Sequence, residues 1–497
     1  VTFESLLEKK RRLQQLAVAA MARQSLSSFA QTYCPQPLVS PPFHLQWMSW
    51  AETEQRVVIA APRSFAKSTV LNFLYPLWKV TGGECSILLV SATAELAQVW
   101  LRKMKYVLEH HEGLLRDYGN LATDKWTQEH IVLGNRAEVR AVGIGHQIRG
   151  RRPTVVICDD LENDETIRSA EQREKLWEWF NKALVNTLEP TSQLIVIGTI
   201  LHPDSLLMDL VTHERPGWTR ATFKALQPDG TSLWPAKWSV EALELRRKEI
   251  GTPAFLAEYQ NEPLSSTDTV LQAHWLKTYE DFPRRPDGSY WPMVYYTAFD
   301  PAISEDSAAD ACGKVTVGVV SDGPQRGMIY VVEAWGKKGS LLQQVEWLFD
   351  SFRRFKEVAV GIESVAYQQA LVDTVRALAR QRGISLPVVE IKTHKDKIAK
   401  AMAIAPLFEN GDVWFRQQPD LIEQLTRLSP RYQGHDDIAD ACLMVLQLVK
   451  DRPRILPPMM PEPVMPAWDS GLTLCGVSAG GNWTSEVERG WPAALRD

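Results

Sequence analysis

Two groups of residues in this 497-residue chain have the types and spacing needed for phosphate chemistry. The first pairs Lys67-Ser68, closing the stretch VVIAAPRSFAKST (57–69), with Asp159-Asp160, closing TVVICDD (154–160). In a nucleoside triphosphate site a tight loop after a strand surrounds the phosphates with backbone N–H groups. Its lysine reaches the β- and γ-phosphates, and its Ser or Thr hydroxyl binds Mg²⁺. The spacing from Ala61 to Lys67-Ser68 matches that loop, whose members are Ala61, Pro62, Arg63, Ser64, Phe65, Ala66, Lys67, Ser68 and Thr69. Asp159 follows four apolar residues and is placed to hold Mg²⁺ through water. Either Asp160 or Glu162 then polarises the attacking water. Alanine stands at both glycine positions of the loop. Ala66 suits the turn only with a negative φ, because a left-handed backbone costs a residue with a Cβ about 1 kcal/mol or more. Taken alone, the loop also reads as a strand–turn–helix with an exposed lysine; the second motif, in the right order, argues for a nucleotide site.

The second group is acidic: Asp300 in YYTAFDPA, Glu363 in VAVGIES, and Asp436, Asp437 and Asp440 in GHDDIADA. Each lies at the end of an apolar strand or the start of an apolar helix. Phosphodiester hydrolysis with two metals needs three or four carboxylates on rigid elements, with metals about 3.5–4 Å apart activating water and stabilising the leaving oxygen. Oxygen donors of this kind suit Mg²⁺ and Mn²⁺. In a helix, Asp436 and Asp440 share a face at i, i+4, and the mutual repulsion of the set calls for cations. Asp310 and Lys397 are further candidates; the simpler reading of each is an ordinary surface residue.

The elements that must position these groups are legible. RVVIAA, SILLVSA, VVICDD and LIVIGTI read as strands. TAELAQVWLRKMKYVLEHH and SAEQREKLWEWFNKALVNTL have helical periodicity, so residues 55–200 read as a parallel α/β sheet. LIVIGT ends on Gly198-Thr199, where a polar side chain can sense the γ-phosphate. Arg149 and Arg151, just before the second motif, can stabilise transition-state charge within the subunit or across to a neighbour. The expected organisation is a helical segment 1–40, an ATPase domain 41–262 whose end is a helical appendage, a polar linker 263–290, a second α/β domain 291–452, and a Pro-, Gly- and Trp-containing tail 453–497.

Composition bounds the class. The chain is 45% hydrophobic and 23% charged, with a formal charge of -5, so it has no global nucleic-acid signature. DNA contact must come from local basic patches such as Lys9-Lys10-Arg11-Arg12 or 149–152. Six scattered cysteines without a CxxC pair suit a reducing compartment and argue against a zinc site. No stretch is apolar enough to span a membrane, and the N-terminus lacks a signal-like core. A soluble intracellular protein is expected.

In PFHLQWMSW (42–50), APRSFAKST (61–69), IRGRRPTVVICDDLEN (148–163), LIVIGT (194–199), FLAEYQNEP (255–263), FDPA (299–302), GIES (361–364) and HDDIADA (435–441), and in their order, the chain resembles the large terminase subunits of tailed double-stranded DNA bacteriophages. The resemblance runs from about 40 to 447. It implies an α/β protein with an N-terminal P-loop ATPase of the additional-strand, conserved-glutamate (ASCE) class followed by an RNase H-like nuclease. It implies ATP and Mg²⁺ as cofactors, with Mn²⁺ also supporting the nuclease. It puts an adenine-side motif on His44 and Gln46, the P-loop arginine and lysine on Arg63 and Lys67, the coupling motif on Gly198-Thr199, an intersubunit arginine on Arg149, and the nuclease acids on Asp300, Glu363 and Asp437, with Asp436 and Asp440 alongside. The catalytic glutamate of that family is Asp160 here, so Asp160 or Glu162 must do its work. The implied partners are double-stranded DNA, a portal protein, a small terminase subunit and further copies in a pentameric ring, in the host cytoplasm, away from any membrane and outside the mature virion. Two other readings are a repair-type helicase–nuclease, which would need a second RecA-like domain, and an ATP-binding scaffold with a decayed P-loop.

Overall fold

A computed structural model describes residues 3–34, 41–146, 148, 150, 152–163, 166–167, 169–265, 268–301, 311–364, 369–391, 397–429 and 437–451, and two short strands at 473–474 and 477–478. The chain divides into two compact units. The first takes in 1–243, 256–263 and 465–497, and the second 244–255 and 264–464.

The first unit is built on eight strands: β1 (Arg56–Ala60), β2 (Ser86–Ser91), β3 (Ala122–Trp126), β4 (His130–Leu133), β5 (Glu138–Gly143), β6 (Val155–Asp159), β7 (Gln193–Gly198) and β8 (Thr219–Thr222). Their order is β3-β4-β5-β2-β6-β7-β1-β8. From β5 to β8 all neighbours are parallel; β3, β4 and β5 form an antiparallel edge. The apolar runs of β1, β2, β6 and β7 are buried almost throughout, as a sheet covered on both faces requires. β7 lies between β1 and β6, which is the additional-strand arrangement. Register aligns Ala60 with Gly198 and Asp159 with Ile197, so the loop after β1, the acids after β6 and Thr199 after β7 leave the same edge of the sheet. In an open α/β sheet that carboxyl edge is where ligands bind.

The two helices expected here form over Ala94–His110 and Ala170–Trp179. The second continues through a wide π-turn at Phe180–Leu184. The N-terminal segment is two helices, Phe3–Gln24 and Leu26–Tyr33, broken at Ser25, whose hydroxyl caps the second by accepting from the Ser28 N–H. The antiparallel edge β3–β5 is an element that hydrophobic patterning did not predict. β3 is half-exposed and charged (ATDKW), so it carries little alternation to read.

The second unit holds seven strands: β9 (Lys277–Thr278), β10 (Met293–Asp300), β11 (Cys312–Val320), β12 (Ile329–Lys337), β13 (Ala359–Glu363), β14 (Val388–Ile391) and β15 (Val413–Phe415). They are ordered β14-β13-β10-β11-β12-β15-β9. β10, β11 and β12 form an antiparallel meander. The chain then crosses over to add β13 and β14 in parallel beside β10, giving an RNase H-like sheet. The helix Asp437–Lys450 packs on one face, contributing Ile438, Ala441, Met444, Val445 and Leu448 to a core with Tyr296, Ala298, Val315 and Val317. Helices Leu341–Phe355 and Gln369–Gln381 cover the other face over Phe299, Cys312 and Ile362. Val270 and Leu271, from the polar stretch 263–290, are fully buried in the first of these cores, and β9 from the same stretch edges the sheet.

Candidate nucleotide and metal sites

At the carboxyl edge of the first sheet the polar groups converge. Lys67 is buried, and its Nζ donates to Thr199 Oγ1 at 2.9 Å and lies 3.7 Å from Asp160 Oδ1. Thr199 Oγ1 in turn donates to the Ala61 carbonyl at 3.1 Å, joining the end of β7 to the loop. Ser68 Oγ donates to Asp159 Oδ1 at 3.0 Å, and Asn72 Nδ2 donates to Asp159 Oδ2 at 2.9 Å. Burial first, then the neighbouring Asp160 charge, pushes the Asp159 carboxyl up to about 7; Lys67, Ser68 and Asn72 oppose the shift. Asn72 was missed at the sequence level. Its signal was present: a polar amide four positions after Ser68, set among the apolar residues of VLNFL.

The loop differs from expectation at Ala66. Its φ is +62°, and Ser64 also has a positive φ of +64°. The loop therefore adopts the left-handed turns that glycine would supply freely, and it does so with side chains present. Pro62 and Phe65 are buried and Arg63 is exposed, its guanidinium 2.9 Å from Glu258. Thr69 is buried at the start of the π-turn Thr69–Leu74. His44 is fully buried under the loop: its Nε2 hydrogen-bonds the Phe65 carbonyl at 2.9 Å. Burial lowers its pKa to about 3, so the ring is neutral and Nε2 is the donor. Gln46 lies on the same helix, Pro42–Thr53, and is exposed.

The two candidates for activating water differ sharply. Glu162 is committed to structure. Its carboxylate accepts from the Leu206 and Leu207 N–H groups at 2.8 and 3.3 Å, at the start of the helix Leu206–Thr212. Asp160 has a left-handed backbone (φ +45°) and a half-exposed side chain beside Lys67. Between them lies a cavity of about 10 Å³ lined by Asp160, Glu162, Gly198 and Thr199, roughly the room one water needs. Arg149 and Arg151 lie outside the described residues.

In the second unit, Asp300 ends β10 and Glu363 ends β13. These strands are parallel neighbours, with Phe299 beside Ile362. Asp437 and Asp440 open the helix Asp437–Lys450. That helix start reaches the strand ends because residue 313, opposite Asp300, is glycine. A Cβ there would clash with the Asp437 carbonyl group. Burial, and then the charges of Glu363, Asp440 and Asp437, push the Asp300 carboxyl up to about 9; a hydrogen bond shared with Glu363 adds to this. Lys397 Nζ pairs with Asp440 Oδ2 at 2.7 Å, and Lys400 Nζ lies 3.7 Å from Glu363 Oε1. Lys400 was also missed; it follows Lys397 by about one helical turn. Among the described residues no three His, Cys, Asp or Glu side chains close on a single point as a metal shell would. The donor set nevertheless fits a hard divalent cation: it is all oxygen and it is crowded, and burial together with that crowding pushes the Asp300 carboxyl upward. Asp436 and Asp310 lie outside the described residues.

Comparison with known proteins agrees with this division. Residues 297–448 match the terminase RNaseH-like domain family. Over 186 residues, 35% of this chain, the sequence is 27% identical to the terminase large subunit of Enterobacteria phage T3; the match spans 30% of that protein's length. The large terminase of a thermophilic bacteriophage has the same fold, with a TM-score of 0.50 at 13% identity, over 83% of this chain and 100% of that one.

Proposed function

We propose that this chain, a relative of the phage large terminases that carries their RNaseH-like domain over 297–448, is the ATP-driven subunit that moves double-stranded DNA into a procapsid and cuts it with a metal-dependent nuclease. The observation that carries the reading is one chain with two separately organised clusters of the residue types that phosphate chemistry needs. One is a P-loop lysine tied to Thr199 and Asp160. The other is a carboxylate cluster at the ends of β10 and β13 and the start of the closing helix.

In the first site Lys67 and the loop amides hold the β- and γ-phosphates. Ser68 and Asp159 would hold Mg²⁺, which would supply charge neutralisation on the transferring phosphoryl group. Asp160 polarises the attacking water, because Glu162 is occupied as a helix cap. Thr199, bonded to both Lys67 and the loop, reports the state of the γ-phosphate to β7. His44 supports the loop from beneath, and Gln46 lies on the side where an adenine is expected.

In the second site Asp300, Glu363, Asp437 and Asp440, with Asp436, would hold two divalent ions, whose chemistry would be activation of water and stabilisation of the leaving oxygen. Mg²⁺ or Mn²⁺ suits the oxygen donors. Arg149 acts across a subunit boundary in a pentameric ring, docked on a portal protein and fed by a small subunit, in the host cytoplasm. No helix among the described residues is long and apolar enough to cross a membrane. The helicase–nuclease alternative has less support, since one parallel sheet of RecA-like order is present among the described residues. Plasmid cleavage with Mn²⁺ by the wild type and Asp300→Ala, beside ATPase assays on Lys67→Ala, tests the reading. DNA cleavage that survives Asp300→Ala, or ATP turnover that survives Lys67→Ala, removes the corresponding half.

A further inference from the structure

We propose that Lys237 is a positioning residue for the triphosphate: it grips the apex of a phosphate loop that has no glycine and holds it in its left-handed form. The proposal rests on the ATPase reading above and extends it to residues outside the two nucleotide motifs.

The loop 61–69 contains no glycine, yet Ser64 and Ala66 both have positive φ. Each left-handed residue with a Cβ costs roughly 1–2 kcal/mol, so the conformation must be imposed from outside. Three contacts impose it, one on each successive residue of the apex. The Arg63 N–H donates to the Glu258 carbonyl at 2.9 Å, and the Arg63 side chain pairs with the Glu258 carboxylate. Lys237 Nζ donates to the Ser64 carbonyl at 3.0 Å. His44 Nε2 donates to the Phe65 carbonyl at 2.9 Å. The Phe65 ring is held as well, parallel to Trp238 at 6.5 Å and tilted against Trp234 at 6.1 Å.

Of the three, Lys237 is the contact made by one side chain alone on a carbonyl of a left-handed residue. His44 is part of the core, and half of the Glu258 contact is backbone. The Lys237 stem runs into an apolar setting with its ammonium 5.0 Å from the Trp234 ring centre. Burial lowers its pKa to about 8, so it is mostly charged at neutral pH. A cation there serves twice. It fixes the Ser64 carbonyl, and with it the left-handed turn before Lys67, and it adds positive potential beside the proposed site for a polyanion. This also gives a role to the segment 234–238 and to FLAEYQNEP, which the nucleotide motifs leave unexplained.

The test uses the full chain as Lys237→Met, which keeps the stem against Trp234, and as Lys237→Met combined with Ser64→Gly. ATP KM, kcat and, in nucleotide-free protein, amide exchange of residues 63–67 are measured. Lys237→Met is expected to raise KM about tenfold, as loss of a charged hydrogen bond would, with kcat changed less than about twofold and faster exchange confined to the loop. Ser64→Gly in that background should bring KM back toward wild type, because glycine adopts the turn unaided. Unchanged KM and unchanged loop exchange in Lys237→Met overturn the proposal, as does a KM rise that Ser64→Gly leaves in place. If the wild type fails to turn over ATP while Lys237→Met still loosens the loop, the tether stands and the ATPase reading falls.

Discussion

The two acidic sites balance their charge in opposite ways. Around Asp159 the protein provides its own donors: Ser68 and Asn72 each bond one carboxylate oxygen, and Lys67 faces Asp160. Those donors are fixed by the fold itself, as electrostatic preorganisation requires. Around Asp300 four described carboxylates meet two lysines, and the remaining repulsion is relieved by keeping Asp300 neutral, its carboxyl pushed up to about 9. On the proposed reading the nuclease half depends on bound cations for its charge balance, whereas the ATPase half supplies most of its own donors.

The largest effects should come from removing one side or the other. Lys67→Ala and Asp159→Ala should each reduce ATP turnover by roughly 10²-fold or more while leaving Mn²⁺-dependent cleavage in place. Asp300→Ala, Glu363→Ala and Asp437→Ala should do the reverse. A carboxylate variant that silences both activities would mean the sites are not separate.

Metal addition sharpens the contrast. Saturating Mn²⁺ should raise the melting temperature of the nuclease unit by roughly 5–10 °C, from about 2.7 kcal/mol of linkage at 100 Kd. Asp300→Asn should leave the metal-free melting temperature close to wild type, since burial and the neighbouring carboxylates push that carboxyl up to about 9, and should abolish the gain. Equal metal response in both proteins would show that the carboxylates do not bind the ion. A fragment chosen for this measurement should begin near 264, since one beginning at 285 lacks Val270, Leu271 and β9.

Within the ATPase half, Asp160→Asn should cost at least about ten times more turnover than Glu162→Gln, a figure of about 1.4 kcal/mol or more in activation free energy. Glu162→Gln should instead lower stability by about 1 kcal/mol, through a weaker helix cap. The opposite ranking would return the water-activating role to Glu162.

A smaller effect concerns acid. His44 is neutral in the fold, with its pKa lowered from 6.5 to about 3 by burial. The unfolded chain binds that proton first, so the contribution is intact above pH 6.5 and lost as pH falls from 6.5 toward 3. The loss is about 1.4 kcal/mol per pH unit once well below the unfolded pKa. Urea titrations at about pH 7.5 and 5.5, on either side of that pKa, should show a larger fall for wild type than for His44→Asn. The smallest expected change is Ala66→Gly, which should stabilise the first unit by about 1 kcal/mol by relieving the left-handed alanine; a loss of stability would indicate that its backbone is unstrained.

Much of this was readable in one dimension. A strand that is buried on both faces must be a continuous apolar run, and a ligand at its carboxyl end must be met by the first polar residues after that run. That is why Lys67, Asp159, Thr199, Asp300 and Glu363 were identifiable as strand-end chemistry. The proposed division into an ATPase and a nuclease followed from their order. Contacts between segments distant in sequence had no such signal. That Glu162 caps a helix starting at Leu206, that Gly313 makes room for the Asp437 backbone, and that Lys237 and His44 brace a glycine-free loop all depend on packing. The sign of φ at Ala66 could not be read from the residue type, since alanine alone favours the opposite sign by about 1 kcal/mol or more. Local preference was overruled there by several tertiary hydrogen bonds acting on adjacent residues. Strand periodicity and residue chemistry determined which groups are candidates for phosphate chemistry; the tertiary structure decided which of them stay accessible and which are held in structural bonds.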